Sequence, residues 1–333
     1  MCRGTLPERT EALRTITQHG RKGFVLDAIT LSVVLRLGLE NAVIAVCGPI
    51  STTQSVIDLL AYREFESKQN IGKKQGYIGW RNNRLVVEEF SVEMMKSIAD
   101  EREKELSWAR SLASIVPAIP KKEFSDETRT IIEMAGHVAS DPAIAASGNA
   151  LLLLSEDMAL RHWATATFQI FATWLQPVLM VAQTEGHIKP NEYCEAVNVL
   201  ALSGHTLVSL DKNSLIHAAR KSDFTLTNEL SRLLNVIGGP FADMSTNTVV
   251  LSAFIDAMWQ ECSDELRVKR IASEGFAAIT TGRQEDQRQI IALILNQVRR
   301  KKYLMNEHAL GWLIGHSIGM PYLDQLLQMQ KNS

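Results

Sequence analysis

Hydrophobic and polar positions along the chain fall first into short, fully apolar runs separated by helical stretches, and later into helical stretches alone. Gly23-Phe24-Val25-Leu26-Asp27 is an apolar run bounded by basic residues and predicts a buried strand. Ala28 to Leu39 predicts a helix ending at Gly38, and Ala42–Val46, closed by Gly48-Pro49, a second buried strand. Ser51 to Phe65 predicts another helix, with Val56, Leu59 and Leu60 on one face. From Ser67 to Arg84 the chain turns polar and basic, as in a loop or hairpin, and an amphipathic helix follows over Ser91–Val116, closed by Pro117 and Pro120. Ser125-Asp126-Glu127 opens a helix to about Ser140, after which Ala150–Leu154 is the strongest strand signal. A helix over Asp157–Ala164, a strand near Gln169–Trp174, helices over Pro177–Thr184 and Asn191–Ser203, and a strand over His205–Ser209 complete this part.

Strands alternating with helices predict an α/β fold with a mostly parallel sheet. Beyond about Thr225 only helical periodicity remains, with Leu230, Leu233, Leu234 and Ile237 three and four apart and further helices over Thr246–Glu261, Glu265–Ala278, Asp286–Val298 and Glu307–Ile314. The expected organisation is an N-terminal extension (1–22), an α/β domain (23–222) with a basic loop and helix inserted at about 66–122, and an all-α domain (223–333).

The 333 residues suit two domains of ordinary size. Lys+Arg number 35 against 37 Asp+Glu, so no global field draws the chain to nucleic acid or to an anionic membrane, and any such binding is local. The longest nearly apolar stretch, Phe168–Ala182, is interrupted by Gln169, Gln176 and Pro177 and is shorter than a spanning helix needs. With no secretory signal legible either, the expected location is the cytoplasm, without membrane contact. Cys2, Cys47, Cys194 and Cys262 are scattered and have no zinc-ligand spacing. The sequence contains no phosphate-binding glycine loop, dinucleotide fingerprint, nucleophile elbow or H-E-x-x-H.

In open parallel sheets the site lies beyond the carboxyl ends of the strands. Asp27, Ser155-Glu156-Asp157 and Ser209-Leu210-Asp211 stand at such ends, Asp58 lies on the helix after the second strand, and Asp141 is expected to open an Ile-Ala-Ala helix towards the same crevice. Carboxylates without thiol or imidazole partners suit a hard cation such as Mg²⁺ or Mn²⁺. As helix caps, the same acids have a purely structural alternative role.

Val25-Leu26-Asp27, the helix Ser51–Leu60, and Asp141-Pro-Ala-Ile-Ala-Ala followed sixteen positions on by Asp157 after an apolar strand together resemble the PIN-domain nucleases over roughly residues 22–175. Ser155-Glu156-Asp157-Met-Ala-Leu-Arg161, Trp174-Leu-Gln-Pro177 and Gly204–Asp211 resemble, more narrowly, the PIN domains of bacterial conflict systems that accompany TPR and GreA/B-C-terminal-like modules. The resemblance implies a three-layer PIN-like fold and Asp27, Asp58, Asp141 and Asp157 as catalytic acids. Asp27, Asp141 and Asp157 would hold the metal, with Ser155, Thr30 and Arg161 positioning the substrate. The chain departs from the family at Ile29, where a polar residue is usual, and at Asp58, where Glu is usual and Glu64 is a rival; Glu195 and Asp211 repeat the sixteen-residue spacing.

Lys73, Lys74, Arg81 and Arg84, interleaved with Tyr77 and Trp80, predict phosphate contacts and base stacking on a single strand. The expected function is a metal-dependent endoribonuclease, an effector of a defence or conflict system. Its expected substrate is RNA, with DNA as the alternative; a protein partner or regulator at the helical domain and self-association stay open. The competing expectation is a catalytically degenerate PIN-like interaction module, whose helical third docks a partner through Trp259 and Trp312.

Overall fold

The computed structural model describes residues 6–81, 84–205, 208–239 and 243–317. The chain divides into two compact units, one formed by Thr10–Ile188 and the other by Met1–Arg9 with Lys189–Ser333.

The first unit is built on a five-stranded, all-parallel sheet of order β5-β2-β1-β6-β7. Helix α1 (Leu6–His19) precedes β1 (Phe24–Leu26), α2 (Ala28–Leu37), α3 (Glu40–Cys47), β2 (Ile50–Thr52) and α4 (Gln54–Asn70). An antiparallel hairpin of β3 (Gly76–Arg81) and β4 (Arg84–Glu89) follows, then α5 (Val92–Leu112) and β5 (Ser114–Ile115). Helices α6 (Asp126–Ala135) and α7 (His137–Asn149), strand β6 (Leu152–Leu154), α8 (Met158–Phe168), β7 (Ala172–Thr173) and α9 (Leu175–Thr184) complete the unit.

The central strands are covered on both sides: β1 and β6 are wholly apolar, and Ser51 and Thr52 of β2 are buried with them. Every residue of β1, β2 and β6 is buried, and Phe24 and Leu152–Leu154 are fully enclosed. Val25 and Leu153 pack with Ala143, Ala145 and Ala146 of α7, where alanines let the helix lie close to the sheet. Gly48 turns the chain from α3 into β2 at φ 90°, and a Cβ there would stand 2.2 Å from the Arg21 carbonyl oxygen, so only glycine fits.

Two local expectations are corrected. Ala42–Val46 is helical, and the strand follows it at Ile50–Thr52, after Gly48-Pro49. A short apolar run flanked by glycines has the same hydrophobic signature as a buried helix and as a buried strand. Residues 6–19, expected only as part of an N-terminal extension, form α1, whose Ala12 and Ile16 are buried.

The second unit is helical among its described residues: α10 (Pro190–Leu202), α11 (Lys212–Lys221), α12 (Asn228–Ile237), α13 (Met244–Glu261), α14 (Glu265–Thr280), a short 3₁₀ turn, α15 (Gln287–Gln297) and α16 (Lys302–Ser317). Helix α13 packs against α11, α14 and α15, and its Leu251, Phe254, Ile255 and Met258 are buried. Gly238, after α12, approaches α14 so closely that a Cβ would lie 2.0 Å from the Ala278 carbonyl oxygen. By contacts α10 and α11 belong to this unit. The strand expected over His205–Ser209 falls partly on residues 206 and 207, outside the described residues, and His205, Val208 and Ser209 are not in a strand. Trp259 and Trp312, expected on a docking surface, are 6% and 8% exposed, and Trp312 packs edge-on against Phe276 at 5.7 Å. Among the described residues no single helix is long and apolar enough to cross a membrane.

Candidate active site

At the carboxyl edge of the sheet four strands run directly into helices: β1 into α2, β2 into α4, β6 into α8 and β7 into α9. Parallel pairing therefore gathers four helix N-termini on one edge, where backbone N–H groups and the helix dipoles favour an anion. The start of α7 joins them, with Ser55 Oγ 3.5 Å from the His137 carbonyl oxygen.

Asp27 is the buried acid of this edge, 5% exposed at the end of β1. Pairing of Leu26 with Leu154 puts Ser155 beside it on the neighbouring strand. Asp27 Oδ1 accepts from the Thr30 N–H at 2.6 Å, capping α2, and Oδ2 accepts from Ser155 Oγ. Burial pushes the Asp27 carboxyl above the ordinary range; the Ser155 and Thr30 hydrogen bonds pull it back, and the charge of Glu156 adds to the rise. Thr30 also links the two strands through its Oγ1, which accepts from the Glu156 N–H at 2.8 Å. Thr30 and Ser155 thus position Asp27 and the turn after β6. Ile29, where the family has a polar residue, is 53% exposed.

Asp157 is exposed and caps α8, its Oδ1 accepting from the Ala159 and Leu160 N–H groups at 2.8 and 3.2 Å. Ser155 Oγ accepts from the Asp157 N–H at 3.1 Å, so one hydroxyl sits between the two acids in sequence and in hydrogen bonding. Arg161, expected to meet a phosphate or an acid, is buried; it donates to the Ser155 carbonyl oxygen at 2.5 Å and lies over the Trp174 ring at 5.2 Å. It braces the turn that presents Ser155 and Asp157. Glu156 accepts from the Leu175 N–H at 2.7 Å and so satisfies the first N–H of α9.

The other two acids are placed differently. Asp141 does not open its helix: α7 begins four residues earlier, after Gly136 at φ 78°, and Asp141 lies within it, 3.2 Å from His137 Nδ1. Asp58 is exposed on α4, with Oδ1 accepting from Gln54 Nε2 at 2.7 Å. Among the described residues no three His, Cys, Asp or Glu side chains form a group able to hold a metal ion, so the expected trio of Asp27, Asp141 and Asp157 is not assembled. The alternatives are engaged elsewhere. Glu64 pairs with Lys68 at 2.5 Å, and in the helical unit Glu195 pairs with Lys221 at 2.7 Å while Asp211 caps α11.

The donor set nevertheless fits a hard cation in kind. Asp27 and Asp157 both offer carboxylate oxygens, and Asp157 Oδ2 has no described partner. Mg²⁺ is ordinarily held by one or two carboxylates, with waters and substrate phosphates completing its shell. Sequence reasoning missed Thr53 and Ser55 at the start of α4, whose hydroxyls lie 3.0 Å apart beside the same edge. They are visible in sequence only as ordinary cap residues.

The expected nucleic-acid contacts lie on the hairpin and the turn before it. Lys73, Lys74 and Arg84 are exposed, and Tyr77 is bonded through its hydroxyl to Glu88. Trp80 and Arg81 are on β3, with their side chains outside the described part of the structure.

Residues 25–166 match the family model of the PIN domain associated with the TPR-GreAB-C-PIN system. No curated protein and no solved structure matches the chain. The matched segment runs from β1 to α8 and includes four of the five sheet strands and every acid of the carboxyl edge considered above. A parallel sheet with an acid buried at the end of its first strand and a Ser-x-Asp turn beside it accords with that match, and residues 25–166 are similar to the PIN domains of this type.

Proposed function

We propose that the chain is a metal-dependent endoribonuclease that hydrolyses phosphodiester bonds at the carboxyl edge of its PIN domain. The observation that carries this reading is Asp27, a carboxylate kept in a buried position by Ser155 and Thr30 where four helix N-termini meet. A buried acid is expensive to keep, and its retention at an anion-favouring edge suits work on a phosphate. Asp27 and Asp157 are the residues that would hold Mg²⁺ or Mn²⁺, which supplies water activation and offsets charge on the phosphoryl group. The chain's own part is to place the phosphate against the N–H groups that open α2, α4 and α8, and to fix the acids through Ser155, Thr30 and Arg161. Lys73 and Lys74 on the turn before the exposed hairpin, and Arg84 on it, would contact the strand outside the reacting bond. In this reading the chain acts in the cytoplasm as an effector of a bacterial defence or conflict system; the family model itself names only the TPR-GreAB-C-PIN system.

The test is cleavage of end-labelled single-stranded RNA and DNA with Mg²⁺, Mn²⁺ or EDTA. Asp27→Asn and Asp157→Asn are each expected to reduce metal-dependent RNA cleavage by about 10³-fold while the protein stays folded. Wild-type activity in both variants would overturn the assignment. A second reading, a catalytically degenerate interaction module, is favoured by the absence of a three-acid group among the described residues. It predicts no cleavage by the wild type and no rise in melting temperature with either metal.

A further inference from the structure

In the helical unit, α11 and α15 flank α13 and leave a groove of about 590 Å³ over its outward stripe. The floor runs from Val249 to Gln260 along α13, with the small residues Ser252, Ala253 and Ala257 between them. Lys212, the first residue of α11, stands on one wall, and Arg299 and Arg300, just past α15, stand on the other.

The charge of this groove is not explained by the folding of the unit. Asp256, its only carboxylate, accepts from the Arg299 and Arg300 backbone N–H groups, both at 2.9 Å, and so fixes the connection between α15 and α16. The side chains of Lys212, Arg299 and Arg300 make no ion pair with a described residue. The next cation of the run, Lys301, is engaged instead: it lies 4.6 Å from the Trp259 ring centroid and 3.2 Å from Glu265 Oε1. Arginines after a helix complement its dipole, but a lysine in the first turn opposes it, so Lys212 weakens α11 rather than supporting it. Amides lie beside these cations, with the Gln297 oxygen held 2.9 Å from Ser252 Oγ and the NH₂ end left as donor.

We infer that this groove binds the backbone of a single-stranded nucleic acid. Three unpaired cations against one committed carboxylate select a polyanion. The α13 stripe is about 16 Å long, room for four or five stacked nucleotides rather than one phosphate. The glutamine and asparagine amides are groups that read base edges, which a bare polyphosphate does not present.

Binding of fluorescein-labelled single-stranded RNA to the full chain, followed by anisotropy in EDTA, tests the site apart from any cleavage. Arg299→Ala with Arg300→Ala keeps the backbone bonds to Asp256 and is expected to weaken binding about ten-fold and to reduce the salt slope by about 1.4, for two lost phosphate contacts. Lys212→Ala should weaken it about three-fold, and Arg270→Ala, an exposed arginine elsewhere in the unit, by less than about two-fold. Wild-type affinity in the double variant overturns the assignment, as does absence of binding by the unmodified chain. Displacement of the RNA by tripolyphosphate at equal phosphate concentration would make the groove a polyphosphate site and overturn it as well. Asp27→Asn should bind as the wild type does, so loss of cleavage and loss of this site are read separately.

Discussion

Asp27 ties stability to function at the scale of one side chain. An acid whose pKa is raised by folding holds its proton more firmly in the native chain than in the unfolded one. Its contribution favours folding below the ordinary aspartate range and is lost as pH rises through the native value. Above that native value the buried charge opposes the fold. Asp27→Asn removes that charge and keeps an oxygen for the Thr30 N–H, so its melting temperature is expected to equal or exceed that of the wild type at pH 7.5. The difference should shrink as pH falls toward about 4, where the wild-type carboxyl protonates in the unfolded chain. Thermal melts of both proteins across that range check it, and a variant advantage that grows on acidification would contradict it. At this scale Asp27 and Asp157 were legible in the sequence, because each ends an apolar strand. Their partners were not: Thr30, Ser155 and Arg161 look like substrate contacts when only spacing is known. Coordinates show hydroxyls and a guanidinium occupied by the acids and the backbone around them.

At the scale of elements, the turn Ser155-Glu156-Asp157 combines capping with the candidate chemistry. Asp157 Oδ1 accepts from two N–H groups of α8, and Glu156 accepts from the first N–H of α9, so the acids that read as ligands also start helices. The two roles separate by substitution. Asp157→Ala is expected to lower unfolding free energy by about 1 kcal/mol in urea melts, whereas Asp157→Asn, which still caps, should change it by only a few tenths, on the order of 0.3 kcal/mol. Loss of cleavage in both, with loss of stability in the alanine variant alone, is the expected pattern; equal stability in both would show that the cap is idle. The strands β1 and β6 were recognisable as apolar runs ending in acids, whereas Ala42–Val46 was not distinguishable from a strand by periodicity. The helix of Asp141 was placed four residues late because Gly136, which breaks α6 from α7, interrupts an otherwise continuous polar and apolar rhythm.

The molecule as a whole is two compact units of different character, an α/β unit that matches the PIN-domain family model over residues 25–166 and a helical unit with its own core around α13. The change from strand-and-helix alternation to helices alone was readable along the chain. The boundary at Ile188/Lys189 was not, since α10 and α11 are as apolar as the helices that cover a sheet, and only packing assigns them.

The route from β2 to β5 carries one further consequence. The chain leaves the sheet along α4, forms the β3–β4 hairpin, and returns along α5 to pair β5 in parallel with β2. Helices α4 and α5 pack on each other, while Ile78, Leu85 and Val87 of the hairpin are mainly exposed. The hairpin is thus a detachable appendage, and the sheet's connectivity would survive its excision. Replacing residues 71–90 with a short glycine-serine linker between α4 and α5 should leave the melting temperature nearly unchanged, since the entropy of closing a loop grows only slowly with its length. Scanning calorimetry checks this, and collapse of the transition would show the appendage to be part of the core. Such an appendage is free to change in sequence and length without disturbing the acids at the sheet edge, so in the proposed nuclease it is the part of this unit where target choice would diverge while the chemistry stays fixed.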